Sequence, residues 1–148
     1  MAIEKLVKNN ADSIAQKAVY NFVEDSYNCA EGVVAAFSEA MGINPKTYTS
    51  LAMPFGGGIG SLGHMCGAIS GGLMMLGILA QQKGLKKPQI RELAQKLYQG
   101  FAEEFGTVNC HTLTHHDCND EQGAPFDIKN CAPYLKYVVY KVNELLGD

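Results

Sequence analysis

His64-Met-Cys-Gly-Ala-Ile-Ser-Gly-Gly-Leu-Met-Met-Leu-Gly-Ile-Leu-Ala80 is the stretch whose reading decides the fold. No Asp, Glu, Lys or Arg occurs from Thr47 to Gln82, and His64 is the one titratable base in that window. Apolar residues fill Met65–Ala80 on nearly every face, the pattern of a helix buried all round. With 16 residues and four glycines it is too short, and too poor in large side chains, for a membrane span. A central core helix is the reading that remains. Gly67 and Gly71 lie four apart, so small residues line one side. Glycine costs a helix roughly 1 kcal/mol relative to alanine, which points to a backbone or a bound group coming very close there. Cys66 falls in the first turn, where unpaired amides and the helix dipole favour a thiolate.

Working outward, a chain of 148 residues with 47% hydrophobic content suits a single domain, 1–148, with its own core. A net charge of −3, spread along the chain, recommends neither nucleic acid nor an anionic membrane as partner. The start Met-Ala-Ile-Glu-Lys lacks a signal-peptide pattern, and a cytoplasmic location is expected.

The flanking segments read as helices. Ala2–Glu24 carries Ile3, Leu6/Val7, Ala11, Ile14/Ala15, Ala18 and Phe22 at helical spacing. Asn28 caps a helix from Cys29 to Met41 that Gly42 stops, and Asn44-Pro45 starts a short one that Pro54 ends. Lys83–Lys87 reads as a solvated turn. Pro88 opens an amphipathic helix through Ile90, Leu93, Leu97, Phe101 and Phe105, ended by Gly106. Residues 107–130 read as irregular, and Asn130 caps a last helix bearing Leu135, Val138, Val142 and Leu146. No window alternates with period two, so the expected architecture is all-α, with about five or six helices.

The chemistry lies in the cysteines. Cys29, Cys110 and Cys131 each follow an asparagine, so three thiols are expected at first helical positions, with Cys66 at a fourth helix start. There the local field would lower the thiol pKa and make each a better nucleophile or metal ligand. The plainer reading makes each cysteine a small buried hydrophobe. No Cys-x-x-Cys encodes a local dithiol, and no Cys-x-x-Cys-His encodes c-type haem. What remains is long-range: a dithiol assembled in space, or a thiolate-bound metal or iron–sulfur cluster. His64 could stabilise a nearby thiolate. Cys110-His-Thr-Leu-Thr-His-His-Asp-Cys118 offers a weaker alternative ligand set in His111, His115, His116 and Cys118, at a spacing that matches no common zinc pattern. Asp127 reads as a turn residue. Gly58, Gly60 and Gly63 spell G-x-G-x-x-G, but no parallel strand precedes them and no acidic residue follows about 20 positions on. No nucleotide is expected. The glycine run reads instead as a tight, uncharged wall beside Cys66.

Five ordered motifs carry a resemblance: Asn28-Cys-Ala30, Phe55-Gly-Gly-Gly-Ile-Gly60, Cys66-Gly-Ala-Ile-Ser-Gly71, Phe105-Gly-Thr-Val-Asn-Cys110 and Asn130-Cys131. Over about residues 14–146 the chain resembles the redox-active protein family named for a Cys, CGAxxG, Cys, Cys pattern. The resemblance implies a small helical prokaryotic protein whose four family cysteines are Cys29, Cys66, Cys110 and Cys131. Cys118 and the neighbouring histidines are extra to that pattern. A similar domain accompanies haem-attachment motifs in some cytochromes, and this chain lacks those motifs. The first expectation is therefore electron transfer or thiol redox at the four cysteines, with Gly67 and Gly71 allowing close approach. The second is a binding module in which the cysteines hold a structural metal. The electron donor or acceptor is not encoded, and a homo-oligomer is compatible with the sequence.

Overall fold

The computed structural model describes residues 10–114 and 127–147. Among them the chain is all-α, with α1 at Ala11–Val23, α2 at Cys29–Ala40, α3 at Lys46–Ala52, α4 at Gly67–Gln82 and α5 at Lys87–Phe105. A short α6 covers Cys110–Thr114, and α7 runs Ala132–Gly147. Two 3-10 turns, Met53–Phe55 and Ile128–Cys131, follow α3 and precede α7. The expected part of the first helix around Ile3, Leu6 and Val7 lies outside the described residues, as do His115, His116 and Cys118.

The start and stop chemistry follows the sequence closely. Asn28 and Glu31 form a reciprocal capping box: the Glu31 N–H donates to Asn28 Oδ1 at 2.8 Å and the Asn28 N–H to Glu31 Oε1 at 3.0 Å. After α2 the chain turns at Gly42 (φ +73°), and α5 ends on Gly106 (φ +82°). Both are left-handed positions that favour glycine. Asn44 Oδ1 accepts from the Lys46 N–H at 3.0 Å and starts α3. Pro54 does not end the helical run as expected, because the chain tightens there into the 3-10 turn through Phe55. At the other side of the molecule, Lys83 is more than a solvated loop residue: its Nζ donates to the Leu146 carbonyl at 2.5 Å.

Two helices, not one, occupy the centre. Every residue of α2 from Cys29 to Ser38 is buried. In α4 burial on all sides holds only for Gly67–Gly72; beyond it Leu73, Met74, Gly77 and Ile78 are half-buried, so the far half is covered on one side. α2 packs on α1 and α4, while α7 closes the layer against α1, α4 and α5. One core joins them, with Phe37, Ile69, Leu79, Leu97, Phe101 and Leu135 fully buried. Among the described residues no helix is long and apolar enough to cross a membrane.

Candidate functional site

The site is built at the start of α2. Cys29 takes the first helical position behind the Asn28 cap, and Asn28 Nδ2 reaches across to the Met53 carbonyl at 2.9 Å. Cys29 Sγ then rests against the start of α4. A Cβ on Gly67 would collide with that sulfur and would stand 3.0 Å from the Phe55 carbonyl oxygen. One turn on, a Cβ on Gly71 would stand 2.6 Å from the Ala30 carbonyl oxygen. The two glycines let α2 and α4 approach through their backbones, as their spacing suggested. Backbone N–H groups of Gly57, Ala30, Cys29 and Gly67 face the Cys29 sulfur.

The glycine run is a left-handed loop. Gly57, Gly58, Ile59, Gly60 and Ser61 all have positive φ, between +55° and +76°, as does Gly63 at +80°. Only glycine takes such angles without strain, so Ile59 (+67°) and Ser61 (+62°) are held there by their surroundings. The loop folds back on itself through Gly60 N–H to Pro54 O (2.7 Å), Gly63 N–H to Gly57 O (3.0 Å) and His64 N–H to Gly58 O (2.9 Å). A Cβ on Gly58 would meet the His64 backbone nitrogen at 2.5 Å and Cys110 Cβ at 2.8 Å. The absent side chain is what admits Cys110.

A single antiparallel bridge, Met65 to Asn109, clips the next two cysteines side by side. The Cys66 N–H donates to Val108 O at 2.8 Å, Cys110 N–H to His64 O at 2.6 Å and His111 N–H to Gly63 O at 3.0 Å. Cys66 is the N-cap of α4, not a residue of its first turn. Asn109 caps α6 through the Thr112 N–H at 3.0 Å, so Cys110 does open a helix, one turn long, inside a segment expected to be irregular. Asn130 is not a cap. Asp127 takes that role for the 3-10 turn, accepting from the Lys129 N–H at 2.9 Å, and Cys131 closes the turn just before α7. Asp127 is thus the turn residue it was expected to be. Tyr134 ties the last two thiol-bearing segments together by donating its hydroxyl to the Leu113 carbonyl of α6 at 3.2 Å. Its ring stands edge-on to Phe105, centroids 4.8 Å apart.

Electrostatics make these thiols one site and correct the expectation for helix starts. Burial pushes Cys29 and Cys66 up from their ordinary value, and pushes Cys131 up to about 12. Cys29 and Cys110 each raise Cys66 and Cys131 further by like-charge repulsion. Backbone amides oppose this, at Cys66 those of Ala68 and Ile69, but desolvation outweighs them. A helix start lowers a thiol pKa only where water still reaches it.

A family assignment follows from the ordered cysteines. Residues 27–145 match the family described as "Putative redox-active protein (C_GCAxxG_C_C)". The chain belongs to this family. An "Uncharacterized protein" of Archaeoglobus fulgidus is 26% identical over 110 residues, covering 67% of this chain and 73% of that one. No solved structure matches the chain. The family's label prints glycine before the second cysteine, whereas this member reads Cys66-Gly67-Ala68-Ile69-Ser70-Gly71. Here the glycine that touches Cys29 Sγ follows the cysteine.

None of the four cysteines described in this family member is in a disulfide. Among the described residues, no three Cys, His, Asp or Glu side chains gather as a set that would hold one metal ion. His64 supplies its backbone to the bridge while its side chain is exposed, and His111 is likewise exposed. The sequence reading missed the left-handed loop, whose Gly57 amide faces Cys29, and the bridge that pairs Cys66 with Cys110. Five glycines in eight residues, Gly56–Gly63, were the available signal for positive φ.

Proposed function

We propose that this chain is an electron-transfer protein in which Cys29, Cys66, Cys110 and Cys131 act together as thiolates holding an iron–sulfur cluster. The observation that carries the reading is the mismatch between burial and hydrogen bonding at the sulfurs. Burial keeps the thiols protonated, yet backbone N–H groups are aimed at Cys29 and Cys66. Amides aimed at sulfur are useful once the sulfur is an anion, and a bound metal deprotonates a coordinating thiol outright. The groups acting on Cys29, Cys66 and Cys131 are burial, backbone amides and the other thiols, with no cationic side chain among them. Compensation for thiolate charge therefore has to come from the bound group.

The donor set suits a cluster better than a single ion. Four thiols with one shared electrostatic neighbourhood provide thiolate ligands, and Gly67 leaves room for the Cys29 sulfur. A lone ion needs its ligands drawn onto one centre, and no such trio is present among the described residues. When bound, a cluster supplies one-electron exchange. The protein's own part is to exclude water, hold four sulfurs and offset their charge with fixed amides.

A second reading, a Cys29–Cys66 dithiol, is favoured by the rank of Cys29 as the thiol acting most on Cys66. In that cycle both thiols surrender their protons and one electron each to an acceptor disulfide, which leaves as two thiols. Burial disfavours it. A thiol held at about 12 is thiolate to only about one part in 10⁵ at pH 7, and exchange goes through the thiolate. Anaerobic purification with iron and sulfide analysis, a visible spectrum and a redox titration decides the matter. A cluster gives iron, sulfide and a one-electron wave. The dithiol gives neither metal nor colour, and a midpoint falling by about 59 mV per pH unit. A structural metal gives no redox change and unfolding on chelation.

A further inference from the structure

Helix α4 buries a hydroxyl that has nothing to bond. Ser70 is 4% exposed and its Oγ lacks a hydrogen-bond partner, an orphan shared among the described residues only with Ser38 Oγ and Asn143 Oδ1. Such groups are rare because an unmet buried hydroxyl destabilises the fold. Ser70 lies one helical turn from Cys66, and its N–H reaches the Cys66 carbonyl at 3.3 Å. Residues four apart share a helix face, and Cα–Cβ bonds tilt toward the helix N-terminus, so the hydroxyl sits beneath the Cys66 side. A neutral thiol sulfur is a weak acceptor, whereas charge-assisted hydrogen bonds are the strong ones.

We propose that Ser70 is a positioning residue of the redox site, its hydroxyl donating to the Cys66 sulfur when that sulfur is a metal-bound thiolate. The orphaned state then belongs to the protein with its thiols protonated. This rests on the cluster reading above and adds to it a residue that sets the stability of the loaded form and its potential.

Ser70→Ala and Ser38→Ala, made in the full chain, test it. Ser38 is the control: an equally buried orphan hydroxyl nine residues beyond Cys29 on α2, about 13 Å along the helix. Each variant is melted chelator-treated and reduced, then again after anaerobic reconstitution with ferrous iron and sulfide. In the metal-free form both substitutions raise the Tm, because each removes an unmet polar group. In the reconstituted form Ser38→Ala keeps its gain. Ser70→Ala loses its gain, and its reduction potential falls below wild type because a donor to sulfur stabilises the more anionic, reduced state. If wild type takes up iron and sulfide but Ser70→Ala behaves like Ser38→Ala in both forms, with an unchanged potential, the Ser70 proposal is overturned alone. If wild type takes up neither, the cluster reading falls and this inference falls with it.

Discussion

The two ends of α4 use the same residue for opposite ends. Near its start, Gly67 and Gly71 stand where a side chain would strike the Cys29 sulfur and the Ala30 carbonyl. Near its finish, Gly77 has no atom within 4 Å of where its Cβ would be. Composition treats these glycines alike, while packing gives the first two a purpose and leaves the third as a plain weakness in a helix. The approach of backbones is confined to the end that carries thiols.

Substitutions can break that contrast, and the largest effect is expected just before the helix. Gly58→Ala adds a Cβ against the His64 backbone at a residue with φ +76°. Left-handed strain and overpacking together should cost about 3 kcal/mol, read by denaturant melts, and Cys110 should become more reactive toward an alkylating reagent. A variant as stable as wild type would remove the argument that Gly58 admits Cys110. Gly71→Ala meets backbone that cannot swing aside and should cost roughly 1–3 kcal/mol. Gly67→Ala meets the Cys29 side chain, which can rotate. Its loss in the melt should be smaller, while displacement of the sulfur shows as lost metal uptake.

Alkaline pH sharpens the same contrast through the thiols. Cys29 and Cys66 have native values above the unfolded 9.0, so above that pH the unfolded chain holds fewer protons than the native one. Stability of the metal-free protein should therefore be fully present below about pH 9 and fall as pH rises beyond it. Each buried thiol contributes a slope of about 1.4 kcal/mol per pH unit. The half-buried Cys131 contributes less, because water screens it. Cys66→Ala should flatten the slope, and an unchanged slope would contradict the burial argument. The smallest effect belongs to the far end, where Gly77→Ala should raise stability by up to about 1 kcal/mol. A destabilised Gly77→Ala would mean that the two ends of α4 do not differ as their surroundings indicate.

Local chemistry made much of the fold legible. The Asn28 cap, Gly42, Gly106 and the Leu97/Phe101 stripe need only a residue and its near neighbours, and each stands where the pattern placed it. Asn130 failed because Asp127, three residues earlier, takes the cap and tightens the chain into a 3-10 turn. Helix α6 escaped notice because five residues hold too little periodicity to read. The thiol acidity was misjudged for a different reason. A helix start is visible in a sequence, but the depth at which it is buried depends on every helix packed around it. The glycines at 67 and 71 announced a close neighbour without saying that it would be the Cys29 end of α2.

The bridge between Met65 and Asn109 bears on the order in which the molecule is assembled. It joins positions 44 apart, and of the four family cysteines the pair nearest in sequence, Cys110 and Cys131, is still 21 apart. A growing chain therefore offers no local pair of these four thiols to capture iron, in contrast to a Cys-x-x-Cys segment. Closing the intervening span carries an entropic cost that is repaid only when α4 and α5 already lie together. Uptake of a cluster by this chain is consequently an event of the folded protein, and a donor of iron and sulfide would meet a finished site rather than a nascent one.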